Sequence, residues 1–141
     1  MTDRDKTRGT ERKILIVDDQ RGIRVLLHDI LEDAGYCPLQ VGNGRQALEV
    51  IDRTSPDLVL LDMKIPGMDG LEVLNEIKTK SPGTKVVIMT AFDDSLIKQE
   101  AFKKGAVAHF SKPFDIQELL ETVKKETPLI EEAGINRHQK R

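Results

Sequence analysis

Three short runs constrain this chain more than any other feature: "ILIV" at 14–17, "LVLL" within "DLVLLD" at 57–62, and "VVIM" within "KVVIMT" at 85–90. Each is a block of consecutive apolar residues rich in branched side chains. That pattern suits a strand buried on both faces, where no position can afford a polar group. Between the runs the period changes. Ile23, Leu26, Leu27, Ile30, Leu31 and Ala34 recur at helical spacing, and Gly35 stops them. "CPLQV" (37–41) reads as a weaker strand confined to a sheet edge, because Pro38 cannot donate to a ladder. After a "GNG" turn, Ala47, Leu48 and Ile51 mark a second helix.

The alternation continues past the middle of the chain. A loop with Pro66, Gly67 and Gly70 leads to a helix with Leu71, Leu74 and Ile77 inward, and residues 94–104 read as a polar helix ending before Gly105. "VAHF" (107–110) is a short strand. Asp115 and Glu118 are spaced as a capping box before a helix carrying Ile116, Leu119, Leu120 and Val123. Five β-α units with continuous apolar strands demand a parallel sheet covered by helices on both sides. The expected domain is 13–125, with mobile segments at 1–12 and 126–141. Sixteen residues after Lys125 cannot bury a core, so no output domain of its own is expected there.

Bulk chemistry narrows the class. With 22 basic and 24 acidic residues the formal charge is −2, which argues against coating nucleic acid or an anionic membrane. No apolar run reaches the ~18 residues of a membrane span, the N-terminus lacks a signal-peptide pattern, and Cys37 is the one cysteine. A cytoplasmic protein without disulfides fits.

In sheets of this kind the ligand site lies beyond the carboxyl ends of the strands. Asp18 and Asp19 follow the first strand there, and Asp62 follows the third. If those strands are neighbours, three carboxylates meet, and they stay ionised only if a cation holds them. An all-oxygen set favours Mg²⁺ or Mn²⁺. Thr90 and Lys112 end strands in the same layer. A carboxylate nucleophile, a divalent cation, a hydroxyl and an ammonium make a receptacle for a phosphoryl group. The bland readings are a solvated turn at Asp18–Asp19, a simple turn at "GNG", a surface His28, a half-buried apolar Cys37 and an uninformative His138 in the tail.

The stretches "ILIVDDQ", "DLVLLDMKIPGMDG", "VVIMTAF" and "SKPF" resemble the receiver domains of two-component response regulators. "LLDMKIPGMDG" and "HFSKPFDI" look most like the stand-alone receivers of sporulation phosphorelays in endospore-forming bacilli. The resemblance implies a doubly wound, flavodoxin-like (βα)5 fold with strand order 2-1-3-4-5. It makes Asp62 the phosphoryl acceptor, with Thr90 and Lys112 binding phosphoryl oxygens. Mg²⁺ would be held by Asp19, Asp62 and the Lys64 backbone carbonyl, with Asp18 acting through water. Pro113 would hold the lysine loop through a cis peptide. Implied partners are sensor histidine kinases as donors, a downstream histidine phosphotransferase as acceptor, and an aspartyl-phosphate phosphatase. Gln20, Ile23, Leu26, His109 and Pro113 are candidate partner contacts. His109 stands where most receivers carry an aromatic switch residue, and it is expected to stay outward, with Phe110 on the opposite side of the strand.

Two other functions stay open at this level. A Mg²⁺-dependent phosphohydrolase would usually carry a second carboxylate two residues after the nucleophile, where this chain has Lys64. A stand-alone receiver could also signal by phosphorylation-dependent docking. As an enzyme the chain would be a phosphoryl carrier with at most slow autophosphatase activity. Lys64 and Phe92 flank the expected line of water attack, and neither is a base at neutral pH, while the small Ala91 leaves room for a donor imidazole. Lys64→Asn, whose amide can hold a water, is expected to speed decay of isolated phosphoprotein. An unchanged or slower decay in a phosphate-release assay removes Lys64 from that role.

Overall fold

The computed structural model describes residues 11–91 and 94–129. Their elements run β1 (Lys13–Val17), α1 (Arg21–Asp33), β2 (Cys37–Val41), α2 (Gly44–Thr54), β3 (Leu58–Asp62), α3 (Gly70–Lys80), β4 (Lys85–Thr90), α4 (Ser95–Lys103), β5 (Ala108–Ser111) and α5 (Ile116–Glu126). All four strand pairings are parallel, and the sheet order is β2-β1-β3-β4-β5. β2, with Pro38, is an edge strand as its sequence requires. The order reverses between β1 and β3, which makes their carboxyl ends the switch point.

Each central strand buries both faces against different helices. Leu15, Val17, Val59, Leu61, Val86 and Ile88 pack with Ala47, Ile51, Leu74, Ile77 and Ala101 of α2, α3 and α4. The alternate residues Ile14, Ile16, Leu58, Leu60, Val87 and Met89 pack with Leu27 and Leu31 of α1 and Leu119 and Val123 of α5. A fully buried Ile or Leu contributes about 1.5–3 kcal/mol, so the three apolar runs carry much of the stability. One inward assignment shifts, and one candidate partner contact proves to be on the surface. Leu71 is only half-buried while Val73 lies in the core. Leu26 is 44% exposed, because the neighbouring Leu27 and Leu31 take the core-facing stripe of α1.

Local chemistry sets the helix starts. Asn43, inside the "GNG" turn, caps α2 by accepting from the Gln46 amide, and Asp115 caps α5 by accepting from the amides of Gln117 and Glu118. Gly35 takes a positive φ of 100° just after α1, as a left-handed helix stop requires. At Gly70 a Cβ would lie 2.6 Å from the Met63 carbonyl oxygen, so only glycine lets α3 begin this close to the end of β3.

The amino ends of the strands are also tied to the end of α5 and the residues just after it. The Tyr36 hydroxyl donates to the Thr127 carbonyl at 2.9 Å, Arg12 Nε to the Pro128 carbonyl at 3.2 Å, and Lys85 Nζ to the Glu126 carbonyl at 2.8 Å. Leu129 packs with the α1–α5 side of the core. These contacts hold residues 126–129 and Arg12 against the amino end of the sheet, and Arg12 also pairs with Asp57 at 3.3 Å. The remaining expectations for 1–10 and 130–141, and that for Phe92, fall outside the described residues. Tyr36→Phe leaves a buried carbonyl without its donor. It is expected to cost about 1–2 kcal/mol, read as a lower urea midpoint with an unchanged slope.

Candidate functional site

The register of β1 and β3 builds the site. Val17 pairs with Leu61, so the next residues, Asp18 and Asp62, emerge side by side at the carboxyl ends of adjacent strands. Carboxylate oxygens of Asp18, Asp19 and Asp62 lie within 4.8 Å of one another. Asp18 is fully buried and Asp62 is 4% exposed, while Asp19 faces solvent.

Backbone geometry aims these groups. One Asp18 oxygen accepts from the Gln20 amide and one Asp62 oxygen accepts from the Lys64 amide, each at 2.9 Å. The Arg24 guanidinium donates to the Asp18 carbonyl at 2.7 Å and holds the loop from the α1 side. Lys112 reaches in from the end of β5. Its Nζ lies 2.6 Å from Asp18 Oδ2 and 3.2 Å from Asp62 Oδ2, and it donates to the Gln20 side chain at 3.2 Å. The Lys112–Pro113 peptide is cis. Thr90 ends β4 and is 3% exposed.

Burial dominates the Asp18 carboxyl and raises it above the usual 3.8, against the hydrogen bonds from Lys112 and the Gln20 amide; Asp62 adds repulsion. For Lys112 burial works against the charge, but Asp18 and Asp62 outweigh it and raise the ammonium above 10.5. One lysine stays cationic yet does not compensate three carboxylates. The consequences for stability follow in sign. Asp18, raised in the folded state, lowers stability as pH rises from 3.8 through its folded value, so its penalty is complete above that value. The Lys112 contribution is complete below 10.5 and is lost as pH rises through its higher folded value.

The donor set suits a hard divalent cation. It offers three carboxylates, one buried against its own preference for charge, and no sulfur or imidazole ligand within the cluster. Lys64 contributes its backbone to this loop while its side chain is exposed.

Of the expected partner contacts, Gln20, Leu26 and Pro113 are exposed and Ile23 is half-buried. His109 departs from expectation. The pairing of Ile88 with His109 and of Thr90 with Ser111 sets His109 and Thr90 diagonally on one face of the sheet. His109 Nε2 lies 2.9 Å from Thr90 Oγ1, so the half-buried imidazole is turned toward Thr90. Phe110 does pack on the opposite face, with Phe114. Neither this contact nor the Gln20–Lys112 bond was legible earlier, since both depend on how β4, β5 and β1 sit together.

A doubly wound sheet with an acidic cluster and a lysine at its switch point defines the receiver class of signalling domain. The chain belongs to the response regulator receiver domain family, whose model matches residues 14–124. It is 52% identical over 117 residues to sporulation initiation phosphotransferase F of Bacillus subtilis, covering 83% of this chain and 94% of that protein. It is 38% identical over 112 residues to the DNA-binding transcriptional regulator NtrC of Escherichia coli, covering 79% of this chain but 24% of NtrC. Among solved structures, a CheY-like receiver domain protein from Methanospirillum hungatei superposes with a TM-score of 0.79 at 31% identity, covering 82% of this chain and 93% of that one.

In chelator, a carbon-detected carboxyl titration is expected to place the Asp18 midpoint above 3.8, and magnesium chloride is expected to lower it. A midpoint at or below 3.8 without metal contradicts the burial argument.

Proposed function

We propose that this receiver accepts a phosphoryl group on Asp62 from a phosphohistidine of a sensor kinase and passes it to a downstream histidine phosphotransferase. The observation that carries the reading is the Lys112 ammonium set between Asp18 and Asp62 at the switch point. An Asp62 carboxylate oxygen attacks phosphorus. The P–O bond forms as the P–N bond to the donor imidazole breaks, and the electron pair stays on that nitrogen. Lys112, 3.2 Å from Asp62 Oδ2, stands beside the arriving phosphoryl oxygens, and the Thr90 hydroxyl is the neutral donor at the same end of the sheet.

Mg²⁺, or Mn²⁺, fits the acidic cluster, and when bound it neutralises charge on the carboxylates and the phosphoryl oxygens. Asp19 and Asp62 would hold it directly, with the Lys64 carbonyl, and Asp18 through water. The chain's own part is to keep Asp18 and Asp62 dry and close, which strengthens each electrostatic contact. Gln20, Ile23, Leu26 and Pro113 ring the site or the adjoining face of α1, and exposed Leu26 and Val25 offer apolar surface to a helical donor or acceptor. An aspartyl-phosphate phosphatase could use the same rim.

The 52% identity to a sporulation initiation phosphotransferase supports a place in a sporulation phosphorelay, and a cytoplasmic location goes with that reading. Among the described residues no helix is long and apolar enough to cross a membrane. Incubation with a phosphorylated histidine kinase and magnesium is expected to label the wild type, with the phosphate mapping to Asp62. Asp62→Ala is expected to take no label while its circular dichroism is unchanged, and excess chelator to prevent labelling. Full labelling of that variant, or in chelator, overturns the assignment.

A further inference from the structure

We propose that His28, Asp29 and Glu32, near the end of α1, form a second metal site, one that takes a borderline divalent cation such as Zn²⁺. The inference goes beyond the phosphoacceptor reading of Asp62 and does not rest on it. It starts from geometry. One ligand atom from each of the three side chains lies within 4.8 Å of the other two, and His28 Nδ1 is 3.8 Å from Asp29 Oδ1.

Helical spacing brings these groups together. Glu32 follows Asp29 by three residues and His28 by four, the two spacings that make neighbours on a helix surface. It therefore bridges two adjacent side chains that would otherwise diverge. His28 is half-buried, so its ring is partly held, while Asp29 and Glu32 are exposed. Zinc takes an imidazole nitrogen or a carboxylate oxygen at about 2.0–2.2 Å, so the three ligand atoms must draw closer around it. Two exposed carboxylates can turn to make up that difference while the ring stays in place.

Charge points the same way. The other four helices each carry a base in the last turn: Arg53 in α2, Lys78 and Lys80 in α3, Lys103 in α4, Lys124 and Lys125 in α5. α1 has none, and it ends on Glu32 and Asp33. Negative charge there opposes the helix macrodipole. Among the described residues no lysine or arginine pairs with Asp29, Glu32 or Asp33. The end of α1 is thus a place where a cation is missing and three ligand groups already converge.

The donor set distinguishes this ion from the one at the switch point. Asp18, Asp19 and Asp62 offer oxygen alone, whereas here an imidazole joins two carboxylates. That mixture suits zinc, copper or nickel better than magnesium. Three protein ligands leave a position for water. His28 lies eight residues beyond Gln20, about 12 Å along the helix at 1.5 Å per residue, so one ion cannot serve both clusters.

The test titrates zinc sulfate into the full chain with magnesium chloride in excess, which competes for the oxygen-only cluster. Calorimetry reads the binding, and NMR follows the ring nitrogens of the three histidines. The expected result is a saturable zinc step that moves the His28 ring and that magnesium alone does not produce. The step is expected to be lost in His28→Gln and in the Asp29→Asn/Glu32→Gln double variant, and kept in Asp19→Asn. A response confined to His109 or His138, or a His28 shift that never saturates, overturns the proposal. So does a step that survives the double variant or disappears in Asp19→Asn. If His28→Gln fails to fold, the double variant still decides, because both of its side chains are exposed and carry no packing.

Discussion

The Lys112 ammonium between the Asp18 and Asp62 carboxylates is the contact on which the rest of the site depends. It joins the end of β5 to the ends of β1 and β3, three strands that meet there only because of the doubly wound order. Without it, two adjacent carboxylates would stand at the end of a dry sheet with no cation. With it they are still under-compensated, and Asp18 is held above its ordinary carboxylate range by burial. That residual demand for positive charge is one a divalent cation would meet. Stability is given up locally so that the acidic cluster remains poised, as is common where function sets the geometry.

The two ends of the sheet divide the work. At the amino ends, Tyr36, Arg12 and Lys85 bind carbonyls of residues 126–128 and lock α5 to the sheet. At the carboxyl ends, backbone amides and Lys112 satisfy carboxylates while leaving Asp19 open to solvent. A rigid scaffold under loops is the usual way to hold reactive groups within narrow tolerances. α1 links the two ends. Leu27 and Leu31 anchor it in the core, Gln20 at its start reaches Lys112, and Val25 and Leu26 remain on the surface.

Much of this was legible before any coordinates. Four-residue apolar blocks at 14–17, 58–61 and 86–89 admit few arrangements other than a sheet covered on both faces; Asp18, Asp62 and Thr90 each stand just where such a strand ends, and Lys112 follows the shorter β5. Pro38 marked the edge and Asp115 the start of α5 for reasons internal to those residues: a missing N–H, and a side-chain acceptor for orphan amides. Leu26 was harder, because a helical period tells which residues share a face but not how wide a stripe the sheet will cover. His109 was harder still. Alternation along β5 correctly opposed it to Phe110, yet whether its face met solvent or Thr90 depended on the offset between β4 and β5.

The sequence by itself therefore determined the elements, the sheet class and the chemical identity of the groups at its carboxyl ends, because burial, periodicity and capping act over a few residues. Only the tertiary structure decided which of those groups touch. Val17 against Leu61, Ile88 against His109, and Lys112 against Asp18 across a sequence separation of 94 are long-range choices of register. A shift of one residue in either pairing would send the side chains to the other face. No local pattern carries that information, since it is set by how whole strands and their covering helices pack together.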